Sequence, residues 1–345
     1  MKISKILSCR SFETWVSYDL VFEWEDDFSC ELQVPVINIP LVVEESRAQY
    51  WYRKVFHNRY SHKLTNNLLS YSLKSFHRKL FPRKEFNLVF ELGVNTDPSA
   101  IISQESVPMI IDFWKHTDLD TFYNVYKNCK LVLISSLEVI NYLKYNQCPL
   151  NIQHLPLSLP DRYAINALTT YEKRYDILFA GRPNTVLLNY MQEFAEKFPE
   201  IEYLRQENIG DELYYVSNKR GIVGKFHSRK EYIELLRASR ISFYSTPGID
   251  GGEKRTGGFN PVTPRFLELL SAQCLLLGRY SENEETAFYE LDKVCPHIET
   301  YIQFENALLA YLMHPLVPLP KYTSILQKHY TSCRVKQLAV ILEQE

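Results

Sequence analysis

The residues best suited to chemistry lie at positions 228–280, where an apolar run ends in a long loop rich in glycine and charge. The run at 241–245 stops at Thr246, and the residues that follow are too rich in Gly, Pro, Asn and charge for a helix or strand. A helix is predicted to begin next, with Thr263 as its N-cap and Pro264 at its first position. Because free N–H groups at a helix N-terminus favour phosphate, we predict a phosphate-bearing ligand here.

A helix before this loop and a strand after it would position these residues. The predicted helix at 228–239 opens on Ser228, and Glu231 three residues later has the spacing of a capping box. The apolar run at 274–277 predicts the second strand. Two strands joined through a helix indicate a parallel pair with a right-handed crossover, and ligands bind at the carboxyl ends of strands in such sheets.

Strands alternate with helices along the whole chain, which predicts an α/β protein made of two doubly wound domains. A chain of 345 residues is long enough to bury two cores. The predicted divisions are an N-terminal domain at 1–160, a linker at 161–174, a C-terminal domain at 175–320 and a closing segment at 321–345. The local predictions are a solvated acidic turn at 23–27, a strand at 32–39, an irregular loop at 209–224 and one final helix at 322–342, long enough to pack back on the N-terminal domain.

Composition excludes several classes of protein. A formal net charge of −2 argues against a general nucleic-acid binder. The 7 cysteines are scattered without a C-x-x-C pair, which indicates neither a metal cage nor a disulfide framework and favours a reducing cytosol. The N-terminal apolar segment is too short for a signal peptide, and no apolar run is long enough to span a membrane. We therefore predict a cytoplasmic protein.

The segment at 51–84 carries nine lysines and arginines, interleaved with Phe, Tyr and Leu, and no acidic residue. A basic amphipathic segment is typical of a surface that binds anionic lipid or phosphate groups. The alternative is a helical insertion that packs on its own domain with its basic residues in water. The first interpretation places the protein at the inner face of the cytoplasmic membrane.

Two stretches of the second half resemble a known family. YDILFAGR at 175–182, together with TPRFLELL at 263–270 and CLLL at 274–277, resembles the GT-B glycosyltransferases. Within that fold the chain looks most similar to bacterial glycosyltransferase-like proteins of surface glycan synthesis that include the spore-coat CgeB type. The resemblance implies two Rossmann-like domains facing across a cleft, with the nucleotide-sugar donor in the C-terminal domain and the acceptor presented by the N-terminal domain.

The resemblance also implies a set of donor-binding residues. Glu268 matches the glutamate that binds the donor ribose hydroxyls, and a carboxylate suits two vicinal hydroxyls. Asn260 stands where retaining members have a second glutamate, so Asp250 or Glu253 would have to supply a carboxylate from the loop. The complete predicted donor set is Gly181, Arg182, Ser245, Thr246, Gly248, Glu253, Arg255, Asn260, Thr263, Arg265 and Glu268.

An inverting reaction needs a base that deprotonates the acceptor hydroxyl, and the N-terminal half offers three candidates. Asp112 and His116 follow the carboxyl end of one predicted strand, and Glu91 lies at the end of the preceding strand. A retaining reaction would need no such base, since the donor phosphate can take the proton. No metal or other cofactor is implied, and the pair Asp118 and Asp120 is interpreted as charge at a helix terminus.

The predicted activity is therefore transfer of a sugar, of hexosyltransferase type, from a nucleotide-sugar donor to a lipid-linked glycan acceptor in surface polysaccharide synthesis. Two other functions remain open: a nucleotide-sugar epimerase of the same fold, and a catalytically idle protein that binds sugar nucleotides or glycans.

Overall fold

The computed structural model describes residues 1–11, 13, 18–39, 85–96, 105–210, 212–225 and 228–345. The basic segment at 51–84, with its predicted membrane contact, lies outside the described residues. Within the described ranges, no helix has both the length and the apolar character needed to cross a membrane.

The first half of the chain supplies six strands: β1 (Lys2–Ser8), β2 (Val36–Asn38), β3 (Glu85–Gly93), β4 (Ser106–Asp112), β5 (Val132–Ile134) and β6 (Ile152–His154). They form one parallel sheet in the order β2-β1-β3-β4-β5-β6. Its helices are α1 (Asp19–Leu32), α2 (Leu119–Tyr126) and α3 (Leu137–Tyr145). The apolar runs of β3, β4 and β5 are buried, as expected for a parallel sheet covered by helices.

The second half forms another six-stranded sheet from β7 (Tyr175–Leu178), β8 (Tyr203–Ile209), β9 (Glu212–Ser217), β10 (Gly221–Lys225), β11 (Ser239–Ser245) and β12 (Leu275–Arg279). The strand order is β10-β9-β8-β7-β11-β12, and β8, β7, β11 and β12 are parallel. The helices are α4 (Thr185–Lys197), α5 (Arg229–Ala238), α6 (Glu253–Thr256), α7 (Arg265–Ser271), α8 (Glu284–Phe288), α9 (Tyr301–Met313), α10 (Leu319–Leu326) and α11 (Thr331–Gln344). The predicted α/β class is confirmed.

The prediction of an irregular loop at 209–224 is wrong, because this region forms the antiparallel strands β9 and β10 beside β8. Gly210 and Gly221 have φ angles of 65° and 70°, and these left-handed conformations lie in the turns between the strands. β9 and β10 lie at one edge of the sheet, where Leu213 and Ile222 are exposed. Because these strands are not covered on both faces, their sequences lack the continuous apolar run that predicts a buried strand.

The solvated acidic turn predicted at 23–27 is also wrong, since these residues lie within α1. Val21, Trp24 and Phe28 form its buried stripe at helical spacing, which the acidic residues between them obscured. The helix ends at Leu32, so the strand predicted at 32–39 is reduced to β2.

The single final helix predicted at 322–342 is divided into α10 and α11. Between them, His329 O accepts a hydrogen bond from Leu159 N at 2.9 Å, and Thr331 N donates to Leu159 O at 3.0 Å. These bonds to the segment between the sheets replace the helical pattern. The apolar side of α11 then packs into the core of the first sheet through Val335 and Leu338.

Candidate functional site

A pocket lies at the carboxyl ends of β7 and β11, between the first turns of α4 and α7. It has about 220 Å³ of empty space, including space open to solvent, and is lined by Phe179, Ala180, Arg182, Pro183, Asn184, Leu187, Phe243, Tyr244, Ser245 and Arg265. Gly181 has a φ of 69°, and an added Cβ would lie 2.7 Å from Arg265 Cζ. A side chain at position 181 would therefore require this guanidinium group to move.

Three of the predicted donor residues are arginines that interact electrostatically: Arg182 and Arg265 line the pocket, and Arg255 lies on the loop after β11. Burial, and then the guanidinium groups of Arg182 and Arg265, lower the pKa of Arg255, while Asp112 acts in the opposite direction. Within the described ranges, no carboxylate lies at ion-pair distance from any of the three arginines. Arg265 Nε is buried and has no hydrogen-bond partner among the described residues. Glu268 acts on Arg265 and Asp112 acts on Arg255, in each case electrostatically and without an ion pair, so the three guanidinium groups form a positive region suited to an anion.

The first turn of α4 closes one side of the pocket. Asn184 Oδ1 accepts hydrogen bonds from the backbone N–H groups of Val186 and Leu187, at 3.0 and 3.1 Å. Its Nδ2 donates to Asp250 Oδ2 at 2.8 Å, and Arg279 holds both oxygens of Asp250 at 2.6 and 2.8 Å. Asp250 is therefore engaged in fixing the loop to α4 and β12.

The glycine-rich loop at 246–262 crosses from the second sheet to the first half of the chain. Phe259 is buried in the core of the first half, with its ring centroid 5.2 Å from that of Tyr142. Thr256 O accepts a hydrogen bond from Lys115 N at 3.0 Å, and Asn260 N donates to Glu138 Oε2 at 2.6 Å. The loop contains the one-turn helix α6, which the sequence did not predict.

Several predicted donor residues hold the loop itself. Asn260 Oδ1 accepts from Gly248 N at 3.0 Å, and Asn260 Nδ2 donates to Gly258 O at 2.8 Å, so both polar ends of this buried amide are engaged. Thr246 is buried and accepts from Ser281 N at 3.4 Å.

Two more of the predicted residues also bond to nearby backbone and side-chain groups. Exposed Glu253 accepts from Gly251 N at 2.9 Å. Thr263 N donates to Tyr244 Oη at 3.0 Å, but its side chain does not cap α7, which begins at Arg265 after Pro264.

Glu268 lies on α7 one turn after Arg265 and is only 3% exposed. Its Oε1 lies 2.7 Å from Arg229 Nη2. Glu268 acts electrostatically on Tyr215, whose hydroxyl accepts from Gly181 N at 3.4 Å. The proposed ribose ligand thus lies behind the pocket wall, and its role in ribose binding stays a prediction.

The three base candidates lie in different surroundings. Burial raises the pKa of Asp112 to about 6, and Arg255 from the loop opposes this shift. Burial raises the pKa of Glu91 to about 7, and the Tyr126 hydroxyl donates to this carboxyl group. His116 is exposed beside the loop. Asp112 thus interacts electrostatically with Arg255 of the loop, whereas the hydrogen-bond partner of Glu91 is Tyr126 of its own half.

Sequence reasoning missed three residues of this site. Trp114 lies under Arg255, with the Arg255 Cζ 5.5 Å from its ring centroid. Tyr215 was hidden within the region predicted as an irregular loop. Arg229 lies in the helix predicted at 228–239, and its contact with Glu268, 39 residues later in the chain, has no signal in the sequence. Among the residues that the structure describes, no three His, Cys, Asp or Glu side chains are grouped to hold a metal ion.

Comparison with known proteins gives a match in fold without a match in sequence. No protein-family model matches the chain, and no curated protein matches it. The structure is similar to the N-terminal domain of Candida albicans trehalose-6-phosphate phosphatase, at 8% identity and a TM-score of 0.56, covering 99% of this chain and 96% of that one. It is also similar to a UDP-forming α,α-trehalose-phosphate synthase from Burkholderia vietnamiensis, at 11% identity and a TM-score of 0.51, covering 100% of both chains.

A third match, the pneumococcal O-GlcNAc transferase GtfA, has 9% identity and a TM-score of 0.48. It covers 79% of this chain and 59% of that one, so the chain spans little more than half of that protein's length. The two whole-chain matches establish the GT-B fold, and the predicted two Rossmann-like domains facing across a cleft are confirmed. The likeness to the CgeB branch stays a prediction.

Proposed function

We propose that the protein is a glycosyltransferase that uses a nucleotide-sugar donor. The observation that carries this proposal is the pocket of the second half lined by Arg182 and Arg265, together with the loop residue Arg255, which interacts electrostatically with both of them and with Asp112 of the first half. The two sides of the cleft thus offer an anion site and a carboxylate, which are the groups that sugar transfer from a diphosphate needs.

The proposed donor is a nucleoside diphosphate sugar. Its diphosphate would neutralise the arginine cluster, and guanidinium groups bind phosphate through charge-assisted hydrogen bonds. Glu268 is the proposed ribose ligand because the sequence resemblance places the ribose-binding glutamate at this position, and it lies on α7 one turn after Arg265. The whole-chain fold match to a synthase described as UDP-forming supports a diphosphate product.

In the proposed reaction, Asp112 takes the proton of an acceptor hydroxyl as that oxygen bonds to the anomeric carbon. The bond from this carbon to the phosphate oxygen breaks, and its electron pair leaves with the diphosphate, whose charge the three arginines stabilise. A carboxyl group with a pKa of about 6 is largely ionised near neutral pH, and it is a stronger base than an ordinary aspartate.

The finer parts of the proposal come from the sequence. We propose a hexosyltransferase that needs no metal, with a lipid-linked glycan as acceptor in surface polysaccharide synthesis. The basic segment at 51–84 would then contact anionic lipid.

The test is product analysis after incubation with a panel of UDP, GDP, ADP and dTDP sugars. Release of the nucleoside diphosphate together with glycosylation of a supplied glycan or water is the expected result. Interconversion of donor epimers would identify an epimerase, and binding without turnover would identify a sugar-nucleotide-binding protein; either result contradicts the proposal.

A further inference from the structure

The acidic residues of α1 form a stripe that contacts the second half of the chain and the segment leading to it. Asp19, Glu23 and Asp27 are spaced four residues apart and so lie on one face of the helix. Asp27 Oδ1 lies 2.6 Å from Arg162 Nη2. Glu23 accepts a hydrogen bond from the Tyr163 hydroxyl.

Arg229 is the residue at which this stripe meets the proposed donor site. Its Nε lies 2.6 Å from Glu23 Oε2, and its Nη2 lies 2.7 Å from Glu268 Oε1. Its backbone N–H donates to Asp19 Oδ2 at 3.2 Å. The Arg229 side chain is 8% exposed, so one buried cation balances a carboxylate from each half of the protein.

The fork of a guanidinium group fixes the direction of each carboxylate that it contacts. Arg229 Nη2 forms an ion pair with Oε1 of Glu268 that lacks the angle of a hydrogen bond, and no described residue donates a hydrogen bond to Oε2. Glu23, in turn, fixes Arg229 from the opposite half. The orientation of Glu268 is therefore set by α1 as well as by its own helix.

We infer that Arg229 is a positioning residue that orients Glu268 toward the donor ribose, and that Glu23 of the first half contributes to ribose recognition through it. This inference rests on the proposed function, because it takes a nucleotide as the ligand. It adds a contribution of the acceptor-side half to nucleotide binding, although none of that half's residues lines the donor pocket described above.

The test compares binding of UDP with 2′-deoxy-UDP, and of GDP with 2′-deoxy-GDP, by titration calorimetry. Wild-type protein should bind the ribonucleotide roughly tenfold or more tightly than its deoxy counterpart, the effect of one hydroxyl bonded to a carboxylate. Arg229→Met should reduce this ratio to near one. Glu23→Gln should reduce it partly, and Arg229→Lys should restore part of what methionine loses.

Arg162→Met is the matched control, because it breaks a contact to the same acidic stripe without touching Glu268. It should leave the ratio unchanged. Circular dichroism establishes that each variant folds, and if Arg229→Met does not fold, the near-isosteric Glu23→Gln carries the test.

If the ratio of ribonucleotide to deoxyribonucleotide affinity is unchanged in Arg229→Met, Arg229 has only a structural role and the inference is overturned. If Arg229→Met does not fold, an unchanged ratio in Glu23→Gln overturns it instead. A wild-type protein that binds the nucleotides without preferring ribose would also overturn it, while leaving the proposed transfer reaction standing. A wild-type protein that binds none of them would overturn the proposed donor site itself.

Discussion

The substitution Gly181→Ala should affect two quantities that can be measured separately: the nucleotide affinity of the proposed donor pocket and the free energy of unfolding. Gly181 has a φ of 69°, and an added Cβ would lie 2.7 Å from Arg265 Cζ, well inside ordinary contact distance. The guanidinium group must then move, and its buried Nε leaves it little freedom to return to the same position. We expect Gly181→Ala to displace Arg265 from the pocket.

The magnitude has two parts. A non-glycine residue in the left-handed region costs about 1–2 kcal/mol of folding stability. Losing a charge-assisted hydrogen bond from Arg265 to a phosphate costs about 1.5–3 kcal/mol of binding free energy, which weakens affinity roughly ten- to hundredfold.

Gly221→Ala is the matched control, because Gly221 has a φ of 70° and nothing lies within 4 Å of its added Cβ. It should carry the same cost in stability without a loss of nucleotide affinity. The assay is titration of both variants with UDP and GDP, together with urea unfolding. Equal nucleotide affinity in the two variants would refute the assignment of Arg265 to the donor phosphate.

Two further predictions concern the buried carboxyl groups of the first half. Asp112→Asn should reduce transfer by roughly 10²–10⁴-fold while nucleotide binding is retained. The kcat/KM of the wild-type protein should rise with pH up to about 6 and then level off. A pH-independent rate would contradict the role of Asp112 as the base. Burial raises the pKa of Glu91 from 4.5 to about 7, so its contribution to folding is fully present below pH 4.5 and is lost as the pH rises through about 7. In the wild-type protein the free energy of unfolding should therefore fall by about 3 kcal/mol at most as the pH rises through this range, and Glu91→Gln should remove this fall. Urea unfolding at several pH values measures it. The same pH dependence in wild type and variant would contradict this account.

The parts of the fold that the sequence predicted are those where local signals and burial agree. Strands such as β3 and β4 are continuous apolar runs, and α3 begins after a capping serine, Ser136, whose side chain accepts from Val139 N. The predicted donor residues Arg182 and Arg265 line the pocket of the second half, and their binding of a donor stays a prediction.

The errors arose where the deciding partner is distant in sequence. In α1, Glu23 and Asp27 looked like solvated residues because their partners Arg229 and Arg162 lie 206 and 135 residues away. In α10 and α11 the helix is interrupted by backbone bonds to Leu159. No local pattern encodes such contacts, so propensity alone assigns the segment wrongly.

The position of the loop at 246–262, which carries candidate site residues, also depends on partners that are distant in sequence. Its composition predicted an irregular segment of the C-terminal domain, but its position is set by the first half of the chain, where Phe259 is buried and Glu138 accepts from Asn260 N. Glu285 adds a second tie, accepting from Ser136 Oγ at 2.6 Å and from Val262 N at 3.0 Å. Because Arg255 is carried by this loop, the charge that faces Asp112 is placed by contacts between the two halves. The proposed anion site and the proposed base therefore depend on both halves of the chain, because the loop that carries Arg255 is held by residues of each half.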